Sequence, residues 1–327
     1  MTQPVPETRL SSSVTIRGER PGDGAPIVHI WYVCNPDLSR TTVEEYHGFV
    51  ASMPKGNPLY RLVAERDGRV VAVGRAIQKF WVASPGSADV SINVRPEQRG
   101  QGIGSALYNR LEDAARDFGA ERLFTEVREN QPDGLRFARK RGFEPTDHVS
   151  RLSRLEVSAA RDESYDVLEE RLREQGVTVK SLAQLGPDDI DVLREWHRVD
   201  METAQDEPAA EAYDVSFEVW RDSIMKQPGV SPDSAFAALL GGRIIGVTKV
   251  QRAGEDAGWH AGMGVRRDFR GRGVARLLKW RSIQWARSNG IRYLYTGNDK
   301  HNPRMYSINE RLGYVPLPGM VELVRSL

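Results

Sequence analysis

Arg99-Gly100-Gln101-Gly102-Ile103-Gly104 is a glycine-rich turn between a predicted strand and a predicted helix. The pattern returns 171 residues later as Arg270-Gly271-Arg272-Gly273-Val274-Ala275. The same offset carries Arg141-Gly142-Phe143 onto Leu312-Gly313-Tyr314, so the spacing from the glycine turn to a later Gly-aromatic pair is equal in both halves. Two coincidences at one offset indicate an internal duplication, and a duplicated unit is a stronger guide to the fold than a single turn.

Each half is predicted to contain the same order of elements. Before the first turn, Val90 to Val94 alternates apolar and polar residues as a strand does. After each turn come an amphipathic helix and a second apolar strand, at 122–127 and 292–296. Such a crossover makes the two strands parallel, whereas hairpins upstream make the remaining strands antiparallel. The expected fold class is α/β (α+β), with two similar domains, each a mixed, mostly antiparallel sheet flanked by helices.

The length of 327 residues is typical of two domains. We place the first domain at 1–160 and the second at 176–327. Residues 161–175 between them hold nine charged residues of fifteen. Val167, Leu168 and Leu172 form one apolar stripe there, which predicts a short, solvated linker helix.

Composition and charge exclude several classes of protein. The 46 basic and 45 acidic residues leave a net charge of +1, and no apolar run approaches the length that spans a bilayer. The N-terminus lacks the basic start and apolar run of a secretory signal, so a cytoplasmic location without membrane partners is expected. A single cysteine and the lack of a His-Glu-x-x-His pair predict no disulfide and no metal site.

The chemistry of the two turns favours phosphate binding. The first N–H groups of a helix lack intrahelical partners and carry the positive end of the helix dipole. No Gly-Lys-Ser/Thr follows either turn, which excludes a Walker-type site, and Glu121 precedes its strand, which disfavours a dinucleotide site. A tight connection without a ligand is the alternative interpretation, but the repetition with Arg at both heads favours a ligand site.

The order strand, Arg-x-x-Gly-x-Gly/Ala turn, helix, strand and helix ending in Gly-Phe or Gly-Tyr resembles the GNAT superfamily of acyl-CoA-dependent N-acetyltransferases. The resemblance covers both halves and nearly the whole chain. It implies acetyl-CoA as cofactor, with the CoA pyrophosphate held by residues 99–104 and 270–275. It also implies that the pantetheine arm lies along the strand before each turn, where a free N–H would stabilise an oxyanion. These strand positions are Ile92, Asn93 and Val94 in the first half and Met263, Gly264 and Val265 in the second.

The resemblance also implies catalytic and cofactor residues around the last helix of each half. Many family members have a Tyr four residues before the Gly-aromatic pair, where it protonates the leaving thiolate, but here Ala138 and Asn309 occupy those positions. Asn309 remains a candidate site residue, and Tyr306, one turn earlier, is a candidate acid or simply a packed aromatic residue. Asn302 and Asn130 lie where the family has cofactor contacts, although Asn is also common in turns.

A protonated amine must lose a proton before it attacks a thioester. The candidate proton acceptors are Glu126 in the first half and His260 in the second, each with a purely structural alternative. Between Val199 and Glu218 there are seven acids and no Lys or Arg. This run predicts either an acidic approach that attracts a cationic amine or a solvated acidic face.

The predicted function is transfer of an acetyl group from acetyl-CoA to a primary amine of a small, cationic molecule, by direct attack in a ternary complex. The alternative is an acyl-CoA-binding or regulatory module in which one or both domains are inactive. Seven basic residues between Arg266 and Arg281 resemble a nucleic-acid surface, but a CoA nucleotide accounts for them and no nucleic-acid partner is expected. Cys34 is far from both motifs in sequence and is expected to be a packing residue, which leaves no covalent intermediate.

Overall fold

The computed structural model describes residues 7–11, 13–161, 165–207 and 211–327. The chain forms two compact units. The first extends to Asp147 and also includes Met320–Leu327, and the second is His148–Gly319. The segment Met1–Pro6, on which the prediction about a secretory signal largely rests, lies outside the described residues.

The elements from the first half of the sequence are β1 (Thr8–Ser11), β2 (Val14–Gly18), α1 (Gly24–Cys34), α2 (Val43–Ala51), β3 (Leu59–Arg66), β4 (Arg69–Gln78), β5 (Ser87–Val94), α3 (Ile103–Asp117), β6 (Arg122–Arg128), α4 (Pro132–Arg139) and β7 (Glu144–Glu156). The elements from the second half are α5 (Tyr165–Glu174), β8 (Val177–Ser181), α6 (Leu182–Leu185), α7 (Ile190–Ala204), α8 (Phe217–Val219) with a π-helical turn at Trp220–Ile224, β9 (Val230–Leu240), β10 (Arg243–Arg252), β11 (Ala257–Val265), α9 (Val274–Ser288), β12 (Tyr293–Asp299), α10 (Pro303–Leu312), β13 (Val315–Pro316) and β14 (Met320–Ser326).

Both units contain the predicted mixed sheet. In the first unit the strand order is β1-β2-β3-β4-β5-β6-β14, and only β5 and β6 pair in parallel. In the second unit the order is β8-β9-β10-β11-β12-β7, and only β11 and β12 pair in parallel. The predicted fold class is confirmed, because each half has one strand–helix–strand crossover in an otherwise antiparallel sheet.

The last strand of each half of the sequence belongs to the sheet that the other half of the sequence mainly forms. The second part of β7, from Ser150 to Glu156, pairs with β12, and β14 pairs with β6 along its whole length. The boundaries predicted at 160 and 176 do not anticipate this exchange. A strand's own pattern shows which of its faces is buried, but it does not show which sheet the strand joins.

The predicted linker helix forms part of the second unit. In the described portion of that segment, Tyr165, Leu168 and Leu172 of α5 are buried, at spacings of three and four residues. The Tyr165 ring stacks on Trp280 of α9 with centroids 4.6 Å apart. Val167, predicted to belong to the apolar stripe, is 72% exposed. The buried stripe therefore uses Tyr165 in place of Val167, and α5 packs against α9.

A prediction concerns β14. Leu323 is fully buried in the hydrophobic core of the first unit, 0% exposed. Leu323→Ala should lower the free energy of unfolding by about 2–5 kcal/mol, since it leaves a cavity where β14 closes this core. The matched control is Leu10→Ala at a 40% exposed position, which should cost about 0.5 kcal/mol or less. Urea unfolding of the full chain measures both, and equal effects would show that β14 does not belong to this core.

Candidate functional site

The central strands of both sheets part just before the glycine turns. β5 pairs with β6 only from Ser87 to Asp89, and β11 pairs with β12 only from Ala257 to Trp259. The predicted pantetheine positions 92–94 and 263–265 follow these short ladders. Their backbone groups on that side have no strand partner within the described sheets, so each strand offers a free edge to an extended ligand.

Each glycine turn then starts a helix without a side-chain cap. Gly102 and Gly273 are the N-cap residues, with φ of 80° and 100°, a left-handed conformation that favours glycine. The N–H of Ala106 donates to the Gly102 carbonyl at 3.0 Å, so the N–H groups of residues 103–105 have no partner within α3. The N–H of Leu277 donates in the same way to the Gly273 carbonyl at 3.0 Å. The N–H groups of residues 274–276 therefore have no partner within α9. Both helix starts therefore present N–H donors and the positive end of the dipole to an anion.

The arginines that head the turns fold back onto the preceding strands. Arg99 Nε donates to the Val94 carbonyl at 3.1 Å, and Arg270 Nε donates to the Val265 carbonyl at 2.8 Å. Arg270 also forms an ion pair with Asp206. These bonds fix the turn to the end of the strand, and a direct contact of either guanidinium with a phosphate stays a prediction.

The second turn has a neighbour that the first does not share. A Cβ on Gly273 would lie 2.7 Å from Leu168 Cδ1, and Arg171 Nη2 donates to the Arg272 carbonyl at 3.1 Å. By contrast, Cβ atoms on Gly100 and Gly271 would meet nothing within 4 Å. Helix α5 therefore supports the second turn on the Gly273 side, while both turns remain open at Gly100 and Gly271.

The acidic run and the basic run of the sequence meet in the second unit. Glu202 Oε2 lies 3.2 Å from Arg266 Nε, and Asp206 Oδ1 accepts from Arg267 Nε at 3.0 Å. The hydrogen bond from Arg267, with that from Arg270, lowers the pKa of Asp206 to about 2. Part of the predicted acidic approach is thus neutralised, and Asp206 holds the glycine turn instead of facing solvent as a free charge.

Two other acids of the same run form a separate group with Lys249 of β10. Asp200 Oδ2 accepts from Trp220 Nε1 at 2.8 Å and lies 4.0 Å from Lys249 Nζ. Glu207 is exposed to solvent. Desolvation of its carboxyl group by neighbouring protein atoms, together with the charge of Asp200, raises the pKa of Glu207 to about 7. A carboxylate that titrates near neutral pH is suited to accept a proton from a substrate.

A bulge in β11 lies beside this group. The register of β10 with β11 shifts between Thr248 and Val250, and Gly262 has a φ of 109°. A Cβ on Gly262 would lie 3.5 Å from Lys249 Nζ. The register of β4 with β5 in the first unit has no such shift. Bulges bend a strand and release backbone groups from pairing, so this one adds to the free edge of β11.

Glu126, the predicted proton acceptor of the first half, lies on β6 opposite Glu322 of β14. Its side chain is accessible to solvent but crowded by protein atoms. That burial, with the charges of Asp89 and Glu322, raises the pKa of Glu126 to about 7. Its environment is compatible with the predicted role, which stays a prediction.

His260 has a different environment from the one that a proton acceptor needs. Both ring nitrogens are buried without a hydrogen-bond partner among the described residues. Burial and the nearby charge of Lys279 lower the pKa of His260 well below its usual value. A base must come within hydrogen-bonding distance of its substrate, and these nitrogens face the protein interior.

Lys279 is a buried lysine that sequence analysis missed. It is 1% exposed, and its Nζ donates to Asn309 Oδ1, while Asn309 Nδ2 donates to Asn298 Oδ1 at 2.6 Å. No ion pair of Lys279 exists among the described residues, and burial lowers its pKa to about 7. The sequence feature that could have predicted its burial is its position directly after Leu277 and Leu278, on the apolar face of α9. Asn309 itself is 1% exposed, and its side-chain amide bonds to Lys279 and Asn298.

The other candidates have the following places. Asn302 is the N-cap of α10, and its Oδ1 accepts from the Met305 N–H at 3.2 Å. Tyr306 is half-buried, with the Arg151 guanidinium 5.6 Å from its ring centroid. Asn130 is exposed in the turn before α4. Asn302 therefore has a structural role, and contacts of all three with a cofactor or substrate stay predictions.

Cys34 lies at the first glycine turn in spite of its distance in sequence. Its Sγ is 3.5 Å from the Val94 carbonyl and 3.8 Å from Arg99 Nη2. The residue is 7% exposed, and burial raises the pKa of the thiol. Cys34 is thus a packed, protonated thiol.

One group of ligand-type side chains was not predicted. His148 Nδ1 lies 3.2 Å from Asp299 Oδ2, and His301 Nδ1 lies 2.8 Å from Asp299 Oδ1. Among the residues that the structure describes, this is the group whose ligand atoms lie close enough to hold a metal ion, all within 4.8 Å. Hydrogen bonds between the histidines and Asp299 account for the arrangement.

Comparison with known proteins agrees with this geometry. The family model of the Acetyltransferase (GNAT) family matches residues 26–143 and 190–314. A GCN5-related N-acetyltransferase from Sphaerobacter thermophilus is similar in structure, with a TM-score of 0.72, 20% identity and coverage of 97% of both chains. A tandem GNAT protein from the clavulanic acid biosynthesis pathway gives a TM-score of 0.73 at 18% identity, covering 96% of this chain and 98% of its own. A search of curated protein sequences gives no significant match.

The chain belongs to the GNAT family of acetyltransferases and carries the family's domain twice. Acetyl-CoA is the acyl donor of this family, and the two turns fit it. Each combines uncapped helix N–H groups, left-handed glycines and a strand with a free edge. The predictions of a tandem GNAT protein and of acetyl-CoA as cofactor are confirmed. None of the described helices has the length and apolarity needed to cross a membrane.

A prediction follows from the buried Lys279. Its pKa of about 7 in the native chain is below its usual 10.5, so between these values the unfolded chain binds a proton that the native chain does not. The contribution of Lys279 to stability should therefore rise with pH from 7 upward, by up to about 1.4 kcal/mol per pH unit. Lys279→Met should remove this rise.

The measurement is urea unfolding at pH 7, 8 and 9 for the wild type and Lys279→Met. The control is Lys226→Met, at a side chain that is 67% exposed, which should keep the wild-type slope. Parallel pH profiles for wild type and Lys279→Met would contradict the assignment of Lys279 as a buried group that is neutral above pH 7.

Proposed function

We propose that the protein transfers an acetyl group from acetyl-CoA to a primary amine of a small, cationic molecule by direct attack in a ternary complex. The observation that carries the proposal is the repeated combination of a free strand edge with an uncapped helix start. We assign catalysis first to the second unit. Support for this choice is the bulge at Gly262 together with the acids Asp200 and Glu207 beside it.

The backbone of this chain would hold the donor. The N–H groups of residues 274–276, and of residues 103–105 in the first unit, are available to a pyrophosphate. The free edges at 263–265 and 92–94 are available to the amide groups of a pantetheine arm. Acetyl-CoA supplies an acetyl group on a thiol of pKa near 8.5, which leaves readily as a thiolate. An N–H of the free strand edge stabilises the negative charge that develops on the carbonyl oxygen.

Glu207 accepts the proton that the incoming ammonium must lose. Its pKa of about 7 leaves a substantial fraction ionised at neutral pH, and solvent reaches its side chain. Asp200 adds a second negative charge that attracts a cationic acceptor. The amine nitrogen then forms the bond to the carbonyl carbon, the bond from carbon to sulfur breaks, and the second proton of the nitrogen passes to the departing thiolate, which leaves as the CoA thiol.

The proton acceptor proposed here differs from the predicted one. His260 is buried and its pKa is lowered, so Glu207 of the same unit is better placed for the role. In the first unit, Glu126 is the corresponding candidate, on the strand across the opening from β5. A covalent route through Cys34 has no support, because its thiol is buried and protonated at neutral pH.

A prediction tests the role of Glu207. Wild-type kcat/KM for an amine should rise with pH through about 7, since the carboxylate must be ionised to accept a proton. Glu207→Gln should lower kcat/KM by about 10²-fold or more and remove this titration. Release of free CoA thiol with spermidine and with glucosamine as acceptors provides the assay.

The matched control is Glu202→Gln, whose carboxylate is held by Arg266 at 3.2 Å. This variant should retain the pH profile of the wild type. If both variants lose the same activity, or if Glu207→Gln keeps the titration near pH 7, another group accepts the proton.

A further prediction concerns the two turns. Gly100 and Gly271 have nearly equal φ, 77° and 75°, and a Cβ on either meets nothing within 4 Å. Aspartate tolerates this conformation better than most residues, and its charge repels a phosphate. In calorimetric titration with acetyl-CoA, the wild type should bind two equivalents. Gly100→Asp and Gly271→Asp should each weaken one site by at least about tenfold.

The control is Gly119→Asp, past the C-terminal end of α3, with a φ of 83° and no atom within 4 Å of a Cβ. It introduces the same charge and the same backbone demand away from both turns. One equivalent in the wild type would favour the alternative in which one unit is inactive, and the variants would show which unit binds. Equal weakening by all three variants would contradict the phosphate-binding role of the turns.

A further inference from the structure

The second unit contains a group of two histidines and one aspartate that the proposed acyl transfer does not use. His148 lies on β7, Asp299 is the last residue of β12, and His301 lies in the turn before α10. All three belong to the second unit. One nitrogen or oxygen atom of each side chain lies within 4.8 Å of those of the other two. Two imidazoles and one carboxylate are ligands typical of transition-metal sites.

The pairing of β7 with β12 brings the three side chains together. Asp299 is the last residue of this antiparallel ladder, and the Lys300 N–H continues it with a hydrogen bond to the Val149 carbonyl at 2.9 Å. His301 comes next on one chain segment and His148 on the other, and their ring centroids lie 6.3 Å apart. The sequence predicted no metal site, because strand pairing and not a local motif assembles this group.

The distances within the group are close to those of a metal site. His148 Nδ1 lies 3.2 Å from Asp299 Oδ2, and His301 Nδ1 lies 2.8 Å from Asp299 Oδ1. These hydrogen bonds hold the side chains together without an ion. In tetrahedral zinc coordination, with bonds of about 2.0–2.2 Å, neighbouring ligand atoms are about 3.3–3.6 Å apart. Shifts of about 1 Å in side-chain atoms therefore give an ion room, and each ligating imidazole then carries its proton on Nε2.

A backbone hydrogen bond holds the aspartate in position. The N–H of His301 donates to Asp299 Oδ1 at 2.8 Å, which fixes the orientation of the carboxylate. Ligating carboxylates in metal sites are commonly held by such a hydrogen bond. The side chain of His301 is 42% exposed, against 22% for His148 and 11% for Asp299. An ion therefore reaches the group from the side of His301.

The corresponding place in the first unit has different residues. At the offset of 171 residues, Arg128 corresponds to Asp299 and Asn130 corresponds to His301. Arg128 is likewise the last residue of the strand after the crossover, and it forms an ion pair with Asp37. The same strand end and the same turn before a helix thus form without this ligand set. The fold of the domain therefore does not require two histidines and an aspartate at this place.

We propose that His148, Asp299 and His301 bind one divalent transition-metal ion, and that Zn²⁺ suits this ligand set. Imidazole nitrogens favour Zn²⁺, Ni²⁺ and Cu²⁺, whereas Mg²⁺ and Ca²⁺ prefer oxygen ligands. Three protein ligands leave the fourth position of a tetrahedral ion to water. The bound ion joins β7 to the turn before α10 and stabilises the folded state. The site does not depend on the proposed acyl transfer.

The test uses the full chain without a histidine tag and without acetyl-CoA, so its result is separate from that of the proposed transfer. Calorimetric titration with ZnCl₂ at about pH 7.5 should give one equivalent per chain. His301→Ala and Asp299→Asn should each weaken binding by at least about tenfold. Asp299→Asn keeps an oxygen acceptor for the His301 N–H, so the turn can still form. MgCl₂ in excess should not compete with Zn²⁺.

The matched control is His29→Ala, at an exposed histidine of α1, which should bind Zn²⁺ as the wild type does. Circular dichroism shows whether His301→Ala is folded, and Asp299→Asn serves as the second variant if it is not. Long-range ¹H–¹⁵N NMR gives a second readout. One equivalent of Zn²⁺ should shift the Nδ1 resonances of two histidine rings, those of His148 and His301.

Three results would overturn the proposal. The first is no binding of Zn²⁺ at about 0.1 mM to the wild type. The second is binding by His301→Ala and Asp299→Asn as tight as that of the wild type. The third is binding of several equivalents without a shift at the two rings, which would show adventitious surface binding only.

Discussion

The parallel pairing of β5 with β6, and of β11 with β12, ends after three residue pairs. Backbone groups of a strand need hydrogen-bond partners, so a central strand that loses its neighbour must be completed by something else. At the end of each strand an arginine side chain donates a hydrogen bond to the last carbonyl, that of Val94 or of Val265. The glycine turn and the uncapped helix start follow directly. The proposed acyl-donor site of each unit therefore consists of backbone groups that the fold leaves unpaired.

The two units keep this backbone arrangement and differ in the charges placed around it. In the second unit Asp206 ties Arg267 and Arg270 together beside the turn, and Asp200 compensates Lys249. In the first unit Arg75, three residues after Ala72 on β4, occupies the position that Lys249 has three residues after Gly246 on β10, and among the described residues it forms no ion pair. A side chain can change its charge without altering strand register, whereas a change in the turn would alter the geometry of the helix start. Divergence after duplication is therefore expected in the charged side chains around the turns.

Local patterns with one structural meaning predicted the fold correctly. A glycine turn between a strand and a helix, repeated at a fixed offset, predicted both crossovers. Residues whose role depends on a distant partner were not predicted. Cys34 reaches Arg99 from 65 residues away, and Lys279 is buried against Asn309 from the next helix. For α5 the predicted stripe included Val167, although the helical spacing of three and four residues places Tyr165 on the face of Leu168 and Leu172.

The sequence by itself determined the element order, the duplication and the place of the two glycine turns, because these depend on spacing, glycine conformation and apolar periodicity along the chain. The tertiary structure alone decided which sheet receives β7 and β14 and which acids of the second unit pair with arginines. Each of these depends on distances between residues far apart in sequence. Burial lowers the pKa of Lys279, and desolvation with the charge of Asp200 raises the pKa of Glu207, and neither environment exists until the chain has folded.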